Sequence, residues 1–104
     1  RIKLAALDAL TLGELTRAEE LAAAALAGAD SSGRATWFQD LLSDLWLYGG
    51  LARLERGDYA GARASLERAL EGLGAARERN VSMIYELQLA RAYVAYAQAQ
   101  LEEL

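Results

Sequence analysis

The chain has 104 residues, a formal net charge of −4 and 54% hydrophobic residues, and it contains neither histidine nor cysteine. Its length predicts one domain, and its apolar content is sufficient for a core between layers of helices. The missing residue types exclude disulfides, thiol nucleophiles, histidine bases and most transition-metal sites, and the acidic charge disfavours direct binding of nucleic acid. We therefore expect a non-catalytic protein with no cofactor and no metal.

Helix-forming residues dominate the chain. Alanine and leucine are frequent, strand-favouring valine and isoleucine are rare, and no run alternates apolar and polar residues. The composition predicts an all-α fold of about five helices. The first helix is expected over residues 1–12. Thr16 and Glu19 have the spacing of a capping box, which predicts a second helix that ends near Gly28.

A turn over residues 30–33, with the sequence Asp-Ser-Ser-Gly, follows the second helix. The third helix is predicted from Arg34 to Arg56. Gly57 then supplies the positive φ that a tight helix C-terminus favours. Asp58 is placed to cap the next helix.

The fourth helix is predicted from Asp58 to about Arg77. Asn80 or Ser82 then caps a fifth helix, which is expected to reach the last residue. The Gly72-x-Gly74 motif has no preceding strand, which a phosphate-binding loop requires. We interpret this motif as a stop or a frayed end of the fourth helix.

Small residues on the third and fourth helices are spaced so that they meet. Trp46 and Gly50 lie one turn apart on the third helix. The apolar face of the fourth helix consists of Ala62, Leu66, Ala69, Leu70 and Leu73. Because Gly50 and Ala62 lack bulk, the two antiparallel helices are expected to approach toward the short end of roughly 8–10 Å. Residues 46–70 are therefore predicted to form a closely packed helical hairpin.

This pattern resembles the tetratricopeptide repeat, an antiparallel helix pair of about 34 residues. The matching positions are Trp46, Gly50, Ala62 and the Ala69-Leu70 pair, with Leu66 where the family prefers Phe. Three positions depart from the family: Gly49 replaces the usual Leu, Arg53 the usual Tyr and Gly74 the closing Pro. The resemblance implies an antiparallel helix-pair solenoid that binds proteins.

Two further copies of the pattern indicate a repeat architecture. The first copy consists of Gly13-Glu14-Leu15, Ala18, Ala22 and Ala25-Leu26, in the order found from Gly57 onward. The last copy begins at Ile84 and lacks the glycine turn. We expect one domain over residues 1–104, with repeats over about 1–29, 34–78 and 80–104.

Long repeats of this composition resemble the helical arms of large bacterial transcription activators of the maltose-regulator type. That resemblance implies an alternative function, in which the arm senses a small inducer or an inhibitory protein. Another alternative is a helical appendage to an enzyme whose active site lies elsewhere. The chain opens without methionine and ends inside a helical pattern, so we expect a piece of a longer protein that self-associates through exposed repeat ends.

In the resembling repeats, the first helix of each pair lines a concave face, which implies a groove for a partner. The candidate groove residues are Leu47, Leu51, Leu54, Leu87 and Arg91. Ile84 and Val94 lie on the same line of the fifth helix. An apolar helix or extended peptide suits this surface better than an acidic C-terminus, because the Lys/Asn clamp that some family members use is absent. The alternative is that these leucines only pack against the next helix layer.

Several charged residues have structural interpretations. Asp40 and Asp44 share a helix face, but two carboxylates are too few for a hard cation, so we expect an exposed acidic face. Arg77 and Arg79 are expected to be solvated or paired. Two surface ion pairs are expected at helical spacing, Arg63 with Glu67 and Arg68 with Glu71.

The aromatic residues have two interpretations. Trp37 and Phe38 either anchor a partner or cover one end of the core. Tyr85, Tyr93 and Tyr96 are expected in the core, with hydroxyls that reach water. No apolar run approaches the roughly 18 residues of a membrane span, and the absence of cysteine and of a leader is typical of a cytoplasmic protein.

Overall fold

The computed structural model describes residues 11–28, 33–79 and 83–104, and within these ranges it contains helices and no strand. The described helices are α1 (Leu12–Gly28), α2 (Gly33–Glu55), α3 (Tyr59–Arg79) and α4 (Met83–Glu102). The predicted all-α class is therefore confirmed for this part of the chain. The predicted helix over residues 1–12 and the caps at Asn80 and Ser82 fall largely outside it.

The start of α1 differs from the sequence prediction. Thr11 Oγ1 accepts a hydrogen bond from the Glu14 N–H at 3.2 Å, and Glu14 Oε1 accepts one from the Thr11 N–H at 2.9 Å. These two bonds form the capping box. The Thr11 N–H, which donates to the carboxylate, lowers the pKa of Glu14. The predicted box at Thr16 and Glu19 is wrong, because both residues lie inside the helix. The sequence contains two separate matches to the capping pattern, at residues 11–14 and 16–19, and the upstream match begins the helix.

The turn between α2 and α3 follows the prediction. Gly57 has a φ of 87°, the Asp58 N–H donates to the Arg53 carbonyl at 2.9 Å, and the Gly57 N–H donates to the Leu54 carbonyl at 3.1 Å. This is the Schellman arrangement, in which a left-handed glycine ends the helix. Asp58 Oδ1 then accepts from the Gly61 N–H at 3.1 Å and caps α3.

Helices α2 and α3 pack closely through their small residues. A Cβ atom at Gly50 would lie 2.6 Å from Leu66 Cγ and 3.3 Å from the Ala62 carbonyl oxygen. The predicted close approach of Gly50 and Ala62 is confirmed. Gly72 accommodates Ser43 in the same way, since a Cβ there would lie 1.9 Å from Ser43 Oγ. Interpreting Gly72 as a helix stop was wrong, because α3 continues to Arg79.

Helices α3 and α4 run antiparallel. Arg77 Nη1 lies 3.6 Å from Glu86 Oε1, whereas at the other end Arg63 Nε lies 3.2 Å from Glu103 Oε1. Arg63 therefore pairs between elements, and its predicted pair with Glu67 was wrong. Helical spacing brings two charges within reach, but a carboxylate on a neighbouring element competes for the same guanidinium.

The other predicted surface charges are also engaged in contacts between helices. Arg79 hydrogen-bonds Asp40, so Arg77 and Arg79 are both paired, as expected. Arg68 carries its guanidinium 5.6 Å from the centre of the Trp46 ring, rather than forming the predicted pair with Glu71. The acidic side chain at residue 40 belongs to an ion pair and not to a free acidic face.

The core lies mainly between α2, α3 and α4. Its most fully buried large side chains include Leu45, Leu47, Leu66 and Leu73. Tyr85 and Tyr96 pack partly buried against this core, as predicted. Tyr93 is 61% exposed, so its assignment to the core was wrong.

Candidate partner groove

Two polar pairs join α2 to α4. Gln88 Nε2 donates to Asp44 Oδ1 at 2.6 Å, and Arg91 Nη1 donates to the Tyr48 hydroxyl at 3.0 Å. Residue numbers rise together in the two pairs, so α2 and α4 run parallel. The contact between α2 and α4 is thus made by long side chains, whereas the contact between α2 and α3 is made by small residues.

A groove of about 640 Å³ opens beside these pairs. Its lining includes six residues from the two helices: Leu51, Leu54, Ile84, Leu87, Arg91 and Val94. The walls are chiefly aliphatic, and Arg91 is the one charged side chain among the residues that the structure shows lining the groove. Sites with an apolar wall and few oriented polar groups are typical of ligand or partner binding.

Four of the five predicted groove residues meet in this place. Leu51 and Leu54 contribute the α2 wall, and Leu87 and Arg91 contribute the α4 wall. Leu47 does not, because its side chain is 0% exposed and belongs to the core. Helical periodicity gives the direction of a side chain around the axis, but not how far along the helix its neighbours extend. The inclusion of Leu47 was therefore wrong.

Asp44 was expected on an exposed acidic face, and this expectation was also wrong. The residue is 3% exposed and holds the Gln88 amide. A buried carboxylate is stable only when hydrogen bonds or charges compensate for lost hydration. Gln88 Oε1, the other end of the same amide, is buried and accepts no hydrogen bond from any described residue. At the base of the groove the Gln88 amide therefore donates to Asp44, while its oxygen accepts no hydrogen bond from the described residues.

Arg91 is held in a fixed orientation. Besides its hydrogen bond to Tyr48, its guanidinium carbon lies 5.2 Å from the centre of the Tyr48 ring. A guanidinium stacked on an aromatic face retains further N–H donors in a rigid fork, which suits carboxylate recognition. Sequence reasoning placed Arg91 in the groove, but the Tyr48 contact depends on the register of two helices distant in sequence.

The outer face of α4 is apolar, which sequence reasoning missed. Five of its large side chains are at least 60% exposed: Met83, Leu87, Tyr93, Val94 and Leu101. The opposite face of α4 is buried in the core. Only Glu86 and Arg91 are charged between residues 83 and 101, and this shortage of charge was the available signal. A helix that is apolar on most sides is usually covered.

Two features lie away from the groove. Trp37 is 58% exposed and stacks edge-on against Phe38 at 5.1 Å, so its assignment as a partner anchor stays a prediction. A second cavity, of about 350 Å³, contains Trp46, Arg68 and Glu71 in its lining. Its mixed charges and the Arg68–Trp46 stacking distinguish it from the apolar groove.

The described residues contain no group of three or more acidic side chains arranged to hold a metal ion. No helix among them has the length and apolar character needed to cross a membrane. Comparison with protein-family models, with curated proteins and with solved structures gives no significant match. Functional assignment therefore depends on the geometry of the groove and of α4.

Proposed function

We propose that this protein is a non-catalytic protein-interaction module built from tetratricopeptide-like helix pairs. The observation that carries the proposal is the apolar surface of the α2–α4 groove. Leu87 and Val94 are 60% and 68% exposed on this surface. Contiguous apolar surface of this kind is typical of interaction sites, since its burial on binding is favourable.

The helix arrangement supports the repeat interpretation. An antiparallel α2–α3 pair is closed by Gly50 against Ala62, and α4 then lies parallel to α2. A solenoid of helix pairs places the first helices of successive pairs in this relation, with a groove between them. In this interpretation α4 is the first helix of a further pair, and its outer side is where a second helix would pack.

The lining chemistry favours an apolar helix or an extended peptide as the partner. The aliphatic walls gain free energy when covered, and a helix presents side chains at matching intervals. The groove has no second cationic side chain among its described lining residues that would assist Arg91 in clamping a chain-terminal carboxylate. We propose no cofactor, no membrane and no nucleic acid as a partner, and a cytoplasmic location.

A second candidate function is that of a sensing arm in a larger bacterial transcription regulator. The volume of the groove, about 640 Å³, favours it, because small-molecule sites have volumes of roughly 300–1,000 Å³. In such an arm, a ligand that binds one conformation better shifts the population toward it. Binding of small ligands without any protein partner would favour this function over the first.

The test compares two exposed leucines of similar accessibility. The immobilised chain is incubated with a lysate, and bound proteins are compared for wild type, Leu87→Glu in the groove and Leu21→Glu on α1. Leu87 is 60% exposed and Leu21 is 55% exposed, so neither substitution should disturb the core. We expect a specific partner to be lost with Leu87→Glu and retained with Leu21→Glu, while circular dichroism shows equal helix content.

Two results would contradict the groove as the binding surface. One is retention of every partner by Leu87→Glu. The other is equal loss with Leu21→Glu. Sedimentation of the chain alone separates partner binding from self-association: a dimer that dissociates with Leu101→Glu would indicate that copies of the chain cover the outer side of α4 in the absence of a partner.

A further inference from the structure

Among the described lining residues the groove has one charged side chain, Arg91, and its position along the groove indicates the chemistry of the occupant. Along α4 the lining runs from Ile84 to Gln98, a length of about 21 Å at the rise of an α-helix. Arg91 lies at the midpoint, seven residues from either end. Aliphatic residues lie on both sides of it, with Leu87 one turn before and Val94 one turn after.

Arg91 is prepared to bind an anion before any ligand arrives. One guanidinium nitrogen donates to the Tyr48 hydroxyl at 3.0 Å, and the group stacks on the same ring. Its rotamer is therefore fixed by α2, whereas its other N–H groups are not used in that bond. A fixed donor loses less conformational entropy on binding, so a carboxylate in the groove would gain affinity from it.

We infer that the occupant is an amphipathic helix that presents one acidic side chain at the centre of an apolar stripe, opposite Arg91. The inference rests on the proposed function and adds the charge pattern of the partner. A fatty-acid-like ligand fits less well, because its carboxylate is terminal whereas the charge of the groove is central. A helix with a central lysine would place two cations together in an apolar site, which is unfavourable.

The test uses three synthetic helical peptides that differ at one position. Each is 15 residues long, acetylated and amidated, with leucine at positions 1, 4, 11 and 15, alanine and glutamine elsewhere, and Glu, Gln or Lys at position 8. The spacing copies that of Ile84, Leu87, Arg91, Val94 and Gln98 on α4. Fluorescence anisotropy of labelled peptides with the full chain measures the three dissociation constants.

We expect the Glu peptide to bind about five-fold more tightly than the Gln peptide, and the Lys peptide to bind more weakly than both. Raising the salt concentration should reduce the difference. Arg91→Glu should reverse the order of the Glu and Lys peptides. Arg91→Gln, which introduces no new charge, should abolish the preference for Glu over Gln, and circular dichroism should show that both variants fold.

The outcomes separate this inference from the proposed function. Equal binding of the three peptides would overturn the inference and leave the groove as a site for apolar helices. Failure of all three to bind would overturn both. If dodecanoate bound more tightly than the Glu peptide and displaced it in a way that depends on Arg91, the occupant would be an apolar carboxylate. That result would contradict the inference that the occupant is a helix.

Discussion

Helix α2 contacts its two neighbours in different ways. Toward α3 the contact is made where side chains are missing, since Gly50 receives Leu66 and Gly72 receives Ser43. Toward α4 the contact is made by pairs of polar side chains, including Gln88 with Asp44. The comparison shows that one helix can close one interface with glycine and keep another open with long residues.

The two interfaces also satisfy their polar atoms differently. In the α2–α3 contact, the buried Ser43 hydroxyl donates to the Gln39 carbonyl of its own helix at 3.0 Å. The hydrogen bonds that cross this interface, from Arg53 to Ser65 and from Arg79 to Asp40, are part-buried or exposed. In the α2–α4 contact, the polar atoms depend on each other across the interface, and Gln88 Oε1 accepts no hydrogen bond from the described residues. We therefore expect the first interface to dominate stability and the second to dominate recognition.

The largest expected effect comes from the substitution of leucine by alanine, made once in the α2–α3 interface and once in the α2–α4 groove. Leu66 is 0% exposed, so Leu66→Ala leaves a cavity and should lower the free energy of unfolding by about 2–5 kcal/mol. Leu87 is 60% exposed, so Leu87→Ala should change it by less than about 0.5 kcal/mol. Urea unfolding followed by circular dichroism measures both. Similar losses for the two variants would mean that the groove wall is part of the stability core.

A charge introduced at the base of the groove tests the polar link between α2 and α4. Gln88→Glu replaces the amide donor, 2.6 Å from Asp44 Oδ1, with a second buried carboxylate. At neutral pH the like charges should lower the free energy of unfolding by on the order of 3 kcal/mol. Gln98→Glu, at an exposed position of the same helix, is the control and should have little effect.

The sign of the pH dependence makes that prediction sharper. The pKa of the introduced carboxyl should be raised in the folded chain, because burial and Asp44 both disfavour its charge. The deficit should therefore be small below the unfolded pKa of about 4.3 and should grow as the pH rises through the folded pKa. Unfolding midpoints at several pH values check this. A deficit that is equal at about pH 4 and pH 7 would contradict a direct carboxylate contact.

The substitution of glycine by alanine should have opposite effects on stability at two positions of the chain. A Cβ at Gly50 would lie 2.6 Å from Leu66 Cγ, so Gly50→Ala should destabilise by about 1–2 kcal/mol despite its better helix propensity. Gly74 has no atom within 4 Å of such a Cβ, so Gly74→Ala should stabilise by about 0.5–1 kcal/mol. Thermal unfolding measures both.

A double substitution identifies the atom responsible for the Gly50 effect. In the background of Leu66→Ala, most of the penalty of Gly50→Ala should disappear, because the closest atoms have been removed. An unchanged penalty would assign it instead to the Ala62 carbonyl, 3.3 Å from the same position, and hence to the backbone.

Local chemistry explains what could be predicted from the sequence. The Gly57–Asp58 turn is determined by the residues of the turn itself. The contact of Gly50 with Ala62 follows once that turn joins two antiparallel helices. Four groove residues follow from the same periodicity. These features need only the helix geometry and the direction of the chain.

Features that depend on register between distant helices could not be predicted. The burial of Asp44 depends on a partner 44 residues away, and the burial of Leu47 depends on how far neighbouring elements extend along α2. The cap at Thr11 is an intermediate case, because the capping pattern occurs twice, at residues 11–14 and 16–19, and the sequence prediction used the downstream one. Surface ion pairs failed for the same reason as Asp44, because Arg63 pairs with the distant Glu103.

The smallest expected effect on stability concerns the contact of α2 with α1. Gly49 makes room for a carboxylate of α1, since a Cβ there would lie 2.6 Å from Glu19 Oε1. That oxygen is buried without a hydrogen bond from the described residues and lies 3.8 Å from Arg53 Nη1, which donates to Ser65 Oγ. Burial raises the pKa of Glu19 above its ordinary value and outweighs the attraction of Arg53 and Arg68.

A raised carboxyl pKa means that the folded chain binds this proton more tightly than the unfolded chain. Charged Glu19 therefore lowers stability above its folded pKa, and the loss disappears below its unfolded pKa. We expect Glu19→Gln to be slightly more stable than wild type at about pH 7, with an advantage that shrinks toward about pH 4, as measured by urea midpoints. Glu78→Gln, at an exposed position of α3, should show no such trend. If wild type were instead more stable than Glu19→Gln, by a margin that grows with pH, Arg53 would stabilise the Glu19 carboxylate. The α1–α2 contact would then be a stabilising ion pair, and not a buried acid that is tolerated because Gly49 makes room for it.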